Sequence, residues 1–383
     1  MMKPCGMPNA ECGMKFQANR CAPSLPLQPS AFNLQHSQPR RGVTLIELLI
    51  TMTIMAIISA AILGTAAAAI EGAREKKTQS LIAKIHTLLM ERYASYETRR
   101  IDVNPLITQA IDQWVSDTVA AASDKQLAFR NASIVRGQMI ADARLLGVRE
   151  LMKKEMPDRW DDVQYVPVLL TKPPALAETY YRRYQQIQSH PEAGTYQSAE
   201  CLYMVIMMAT GDGEARTLFS KQDIGDTDSD GAPEFLDGWG NPIRWLRWPS
   251  GVVSDLQPVN ATGGRPSDVD HDPFDPYRRD ALNVLTPDIN LYPSVLKGAV
   301  QNNLRTRIQK ATSANRTDLT AYRLVPFVYS HGPDGEATFK LPRPTDAPID
   351  PYYETTDGFQ AGDPVPDELD ALKDNITNHL LEY

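Results

Sequence analysis

Cysteine is scarce in this chain, and three of its four copies, Cys5, Cys12 and Cys21, fall within the first 42 residues. Their spacing holds no C-x-x-C pair and their surroundings are rich in Pro, Gln and Ser, so that segment reads as disordered rather than as a metal cluster. Beyond it only Cys201 remains, which excludes an intrachain disulfide once residues 1–42 are gone. Cys201 opens the apolar run Cys201-Leu202-Tyr203-Met204-Val205-Ile206-Met207-Met208 and reads as a small buried hydrophobe. Enzyme signatures are missing too: there is no Walker loop, no G-x-S-x-G elbow and no H-E-x-x-H, and the six histidines are scattered. Nor is there an excess of positive charge. A net charge of −8 disfavours nucleic acid as a partner, because phosphate binding needs clustered cations. At 383 residues with 42% hydrophobic content, the chain supports one large or two modest folded domains.

A further absence is local. From Leu48 to Ile70 there are 23 residues without a charge, which as a helix would extend roughly 35 Å against a hydrocarbon core of about 30 Å. Glu47 stands just before this run, where burial in lipid costs on the order of 2.5 to 3.5 kcal/mol. A cut between Gly42 and Val43 would create an amine about one helical turn from Glu47, and an identical neighbour would offer another. A unit charge pair about 4 Å apart is worth roughly 4 kcal/mol at an effective dielectric of 20, comparable with that cost. Residues 1–42 carry Lys3, Lys15, Arg20, Arg40 and Arg41 against Glu11, a net of +4, which leaves −12 on residues 43–383. Basic residues before the span and an acidic bulk after it predict a cytoplasmic N-terminus and an outer C-terminal domain.

Gly42, Thr44, Leu45, Ile46, Glu47, Leu48 and Leu49 resemble the cleavage and methylation motif of type IV pilins and type II secretion pseudopilins. The resemblance implies that prepilin peptidase cuts after Gly42 in the inner membrane and methylates Val43 as the new first residue. It also implies that Glu47 guides assembly with like or related subunits, driven by a platform protein and an ATPase. The implied fold is α+β, a long N-terminal helix packed on a small antiparallel sheet. Val43 departs from the usual phenylalanine, and Gly64 stands near where many members place a helix-bending proline. An ordinary secretory signal fits less well, since its apolar region is roughly 7 to 15 residues long with the small-residue site after it. A reading from another class is a membrane-tethered binding or hydrolytic protein that uses a pilin-like anchor.

Along the chain the expected organisation is a leader at 1–42, a membrane and filament-core helix at 43–70 and its amphipathic continuation at 71–104. A helical insertion at 105–210 and a loop-rich, β-containing region at 211–383 follow. Leu81, Ile85, Leu88, Leu89, Tyr93 and Tyr96 repeat at helical spacing, and Asn104-Pro105 marks a break. Helices are predicted near Leu106 to Ala122, Ile134 to Lys154, Ala175 to Gln188 and Ser198 to Ala209. Strands are predicted at Ile243 to Trp248, Tyr322 to Tyr329 and Ala337 to Leu341, the last two as a hairpin around the turn at 330–336. Asp237-Gly238-Trp239-Gly240-Asn241-Pro242, the 328–335 segment and Asp374-Asn375-Ile376-Thr377-Asn378 resemble, in order, the sheet region and terminal segment of major pseudopilins. Trp239, Trp245 and Trp248 fit core and sheet-face positions better than a ligand platform.

Asp226-Thr227-Asp228-Ser229-Asp230-Gly231 places carboxylates at alternating positions before a glycine, a pattern that can wrap calcium. With Asp226 first, Glu234 falls ninth and Asp237 twelfth, the EF-hand order with aspartate in place of the final glutamate. Pro233 and the lack of a helical pattern after Asp237 favour an irregular calcium loop over a true EF-hand; the alternative is a solvated Asx-turn. The pseudopilin resemblance implies a second calcium position, with Ser330 and Asp334 on the matching motif. Asp268, Asp270, Asp272 and Asp275 around His271 read as a solvated acidic loop.

Overall fold

The computed structural model describes residues 42–209, 214–258, 270–281, 286–314, 321–336, 338–341, 347–365 and 371–380. The expected leader up to residue 41, with its three cysteines, lies outside them, as do Asp268 and Ala337. The chain divides into two units, residues 1–62 and 63–383.

Helix α1 runs unbroken from Leu45 to Ser95. Thr44 starts it: its hydroxyl accepts the Glu47 amide at 3.3 Å and its carbonyl accepts the Leu48 amide at 3.1 Å. Thr78, Leu81, Ile82, Ile85, Leu89 and Tyr93, spaced three and four apart, are buried on one face. The apolar ones, Leu81, Ile82, Ile85, Leu89 and Tyr93, enter the main core with Ile243, Trp245, Val328 and Phe235. The helical stripe expected from the sequence is the docking face, with Leu88 only partly buried.

Five helices follow: α2 (Pro105–Ala121), α3 (Lys125–Glu155), α4 (Trp160–Gln164), α5 (Ala175–Ile187) and α6 (Gln197–Ala209). The predicted break at Asn104-Pro105 is the start of α2, where proline sits in the first turn and the Asn104 side chain accepts the Leu106 amide at 3.0 Å. α3 begins nine residues earlier than its apolar pattern suggested, because Asp124 caps the amides of Gln126 and Leu127. After α7 (Glu214–Leu218), β1 (Ile224–Gly225) pairs antiparallel with β2 (Glu234–Phe235), Ile224 opposite Phe235 and Gly225 opposite Glu234.

β3 (Arg244–Leu246) comes next, then a second helical stretch: α8 (Ser294–Val300), a π-type turn at Gln301–Arg305 and α9 (Thr306–Ala314). The region expected to be loop-rich and β-containing thus also supplies helices. Leu296, Val300 and Leu304 pack with Ile107, Ile111, Met139 and Leu146 of α2 and α3 in a second core.

The three-stranded sheet has the order β3, β4 (Phe327–Ser330), β5 (Ile376–Thr377), all antiparallel. This corrects the expected hairpin. β4 pairs with Trp245 and its neighbours on one edge and with Ile376–Thr377 on the other, while Phe339 makes an isolated bridge to Pro364. The reason lies at Gly332, whose φ is +70° and where an added Cβ would stand 2.5 Å from the carbonyl oxygen of Asp374. The 374–377 segment occupies the edge that a local hairpin partner would need.

Candidate functional site

Two features carry functional potential: the start of α1 and the acidic connection between β1 and β2. Residues 42–71 are all exposed, and the span is long and apolar enough to cross a membrane. Polar side chains within it satisfy themselves along the helix: the Thr51 hydroxyl donates to the Leu48 carbonyl at 2.9 Å, and that of Thr53 to the Leu49 carbonyl at 2.8 Å. Thr44-Leu45-Ile46-Glu47 also has the spacing of a capping box, of which the Thr44 half is made. At Gly42 nothing lies within 4 Å of where a Cβ would stand, and its φ is not left-handed. The described chain therefore does not itself require glycine there.

The acidic loop is a hairpin connection rather than a helix–loop–helix. Ser229 at φ +60° and Gly231 at φ +94° curl it so that alternate carboxylates converge. Asp226 accepts the Gly231 amide at 3.0 Å, Asp230 accepts the Ala232 amide at 2.7 Å, and Glu234 accepts the Thr227 amide at 3.1 Å. Carboxylate oxygens of Asp226, Asp228 and Glu234 lie within 4.8 Å of one another, and so do those of Asp228, Asp230 and Glu200.

Glu200, on α6, was not singled out from the sequence. Its Oε2 accepts from the Trp160 indole, while its Oε1 is buried without a partner. Asp228 Oδ2, Asp230 Oδ2 and Glu234 Oε1 are also buried without a hydrogen-bond partner. Burial, then the neighbouring Asp230, pushes the Glu200 carboxyl up to about 8; burial, then Asp228, pushes that of Glu234 up to about 7. Oxygen-only donors with unused lone pairs fit a hard cation.

Asp237 is not among the gathered carboxylates. Its Oδ1 accepts the amides of Trp239 and Asn241, each at 2.8 Å, and its Oδ2 accepts the Ser330 hydroxyl at 2.6 Å. It holds the 238–241 turn and ties that turn to β4. Ser330 in turn accepts the Gly332 amide at 3.1 Å, and Asp334 accepts the Glu336 amide at 3.0 Å. The expected second position thus has Ser330 bonded to Asp237 and Gly332, and Asp334 beside Asp374, whose pKa is raised by burial and by Asp334.

The acidic run around His271 is not a solvated loop. Asp272 and Asp275 are buried, and Arg149 of α3 donates to Asp272 at 3.0 Å and also to Asp280. His271 Nε2 lies 3.6 Å from Asp275 and 3.5 Å from Asp280. Guanidinium groups compensate these acids, so the cluster is a structural ion-pair network. The three tryptophans form no platform: Trp245 is buried in the core, Trp248 stacks under Arg247, and the Trp239 indole donates to Glu71 of α1 at 2.7 Å.

Residues 38–63 match the family model described as the prokaryotic N-terminal methylation motif. The match supports recognition of the chain as a type IV pilin-like or pseudopilin precursor processed by prepilin peptidase, and it points to a structural subunit. No curated protein and no solved structure matches the chain.

Proposed function

We propose that this protein is a structural subunit of a type IV pilus-like filament of the type II secretion pseudopilin kind. Prepilin peptidase cuts between Gly42 and Val43, and the amine of Val43 is methylated. The apolar half of α1 holds the subunit in the inner membrane with its C-terminal domain in the periplasm, then packs helix against helix in the filament core. Glu47 selects the register by meeting a neighbouring amine, an interaction of roughly 4 kcal/mol at about 4 Å that offsets the cost of its burial in lipid. A platform protein and an assembly ATPase drive extraction.

The observation that carries this reading is the methylation motif at 38–63 running into one 51-residue helix whose residues 45–71 are exposed and whose later turns pack into a folded core. An apolar surface of that extent needs a covering partner, lipid or other helices. Gly42, unconstrained by its surroundings, fits a residue selected by a protease.

Co-expression with a prepilin peptidase tests it. Mass spectrometry should find a product beginning at N-methylated Val43, and Gly42→Ala should block its formation. Intact precursor in the presence of active peptidase would overturn the proposal and favour a tethered binding or hydrolytic protein.

A further inference from the structure

The geometry points to a calcium site in which Glu200 of α6 completes the acidic β1–β2 hairpin, the ion being held by Glu200, Asp228 and Asp230, with Asp226 and Glu234 in the adjoining cluster that shares Asp228. Five carboxylates contribute to the two overlapping clusters, with Asp228 common to both. Among the described residues none of the five is in an ion pair with a lysine, arginine or histidine. The buried cluster around His271 differs in this respect, since Arg149 and Arg307 reach its acids.

Glu200 supplies the independent observation. It is fully buried, it comes from a helix distant in sequence from the loop, and its Oε1 has no hydrogen-bond partner. Glu234, also fully buried, and Asp230, 8% exposed, each present an unpartnered oxygen as well. A buried polar atom without a partner costs about 1 to 3 kcal/mol, more for a charged group, and several such atoms on converging carboxylates have a common physical remedy in a cation.

Calcium suits the arrangement better than magnesium. It accepts six to eight oxygens at about 2.3 to 2.6 Å in flexible geometry, whereas magnesium requires near-ideal octahedral coordination and retains water. The Asp226, Asp228 and Asp230 spacing supplies the alternating oxygens of a calcium loop. Glu200 supplies from outside the loop the distal carboxylate that an EF-hand takes from its twelfth position. The ion would fasten α6 to the β1–β2 hairpin, joining two segments that each contribute to the main core through Leu202 and Phe235.

Trp160 provides a reporter, because its indole donates to the Glu200 carboxylate. Full-length protein in detergent micelles, stripped with chelator, should give tryptophan-sensitised terbium emission that calcium displaces, and calcium alone should raise its melting temperature. Glu200→Gln and Asp228→Asn should each weaken calcium binding by about tenfold to a hundredfold, on the scale of lost metal-site contacts. Trp160→Phe should reduce the sensitised emission while leaving the calcium-induced thermal shift. If Glu200→Gln does not fold, Asp228→Asn, in the half-buried loop, still decides the matter.

Superimposable melting curves of the parent in calcium and in chelator would overturn the site, as would an Asp228→Asn variant that titrates like the parent. Equal potency of magnesium would overturn the choice of ion. Neither measurement involves leader cleavage or assembly, so this result and that of the filament reading are separable.

Discussion

Gly238→Ala probes how the sheet region is seated on α1. The Gly238 amide donates to the Thr78 hydroxyl at 2.8 Å, and Thr78 in turn donates to the Arg74 carbonyl at 3.0 Å. An added Cβ would stand 2.3 Å from the Arg74 carbonyl oxygen and 2.7 Å from its carbonyl and α carbons. These are atoms of a helix backbone, which cannot swing aside as a side-chain tip can. The turn must therefore retreat toward an ordinary contact distance, which breaks the bond to Thr78 and strains the Trp239 to Glu71 bond on the same turn.

One lost buried hydrogen bond costs about 1 kcal/mol and forced overpacking about 1 to 3, so the variant should lose about 2 to 4 kcal/mol. With a urea dependence near 3 kcal/mol per molar for a domain of this size, the unfolding midpoint should fall by roughly 1 M. Gly72→Ala is the matched control: it lies on the same helix with nothing within 4 Å of the added methyl, and should be stabilising by about 0.5 to 1 kcal/mol through helix propensity. An unchanged midpoint for Gly238→Ala would refute the close seating of this turn on the helix.

Glu47→Ala should be cleaved normally but enter filaments poorly, scored by shear fractionation; parental incorporation would contradict its pairing role. Asp142→Ala removes the carboxylate that accepts from Arg279 and Arg305, each at 2.7 Å, and takes the shared counter-charge from two buried guanidinium groups; a loss of about 3 to 5 kcal/mol is expected by thermal melting. His379, buried between the Ser254 hydroxyl at 2.8 Å and the Pro326 carbonyl at 3.3 Å, has its pKa pushed down to about 4 by burial. Above its unfolded value near 6.5 both states are neutral and its stability contribution is intact; as pH falls from 6.5 toward 4 only the unfolded chain gains the proton, and up to about 3 kcal/mol is lost. Urea midpoints at pH 7, 6 and 5 should fall less steeply for His379→Gln than for the parent. Asp237→Asn should lower the melting temperature by disturbing the bond to Ser330, yet leave calcium affinity near the parental value, read by the same terbium displacement.

The parts legible in sequence are those in which a single element declares its own environment. The uncharged run from Leu48 to Ile70 and the three-and-four spacing from Leu81 to Tyr93 depend only on positions along one helix, and α1 carries both. α2, α5 and α6 end within a residue or two of their expected limits: Asn104-Pro105 and Pro173-Pro174 mark the starts of α2 and α5, and α6 lies between Gly194 and Gly211. Leu296, Val300, Leu304 and Ile308 repeat every four residues, a signal for α8 and α9 that the surrounding Asp, Gly and Pro content obscured. The partners of β4 were not legible: Trp245 opposite Val328 and Thr377 opposite Tyr329 are pairings across long stretches of chain, whereas turn residues advertise only local hairpins. The acids around His271 looked solvated for the same reason, since Arg149, which compensates them, lies more than a hundred residues earlier.

The acidic hairpin shows the same division within one site. Alternating aspartates before a glycine are a local pattern, and the loop does bring Asp226 and Asp228 together with Glu234, and Asp228 together with Asp230. Counting onward to Asp237 assumed that the chain continues as a calcium-binding helix–loop–helix does, but β2 intervenes and carries Asp237 to a different task, bonded to two amides and to Ser330. The position that counting left unfilled is met by Glu200, brought by α6, in a run whose apolar neighbours gave it the look of a core helix with one stray acid. A lone carboxylate beside Cys201 and Leu202 is costly to bury unless it is paired, protonated or bound to a cation. That cost was the available signal: in an apolar helix, a carboxylate with no basic residue at helical spacing calls for a partner elsewhere in the fold, and here its neighbours are more acids, Asp228 and Asp230 first among them.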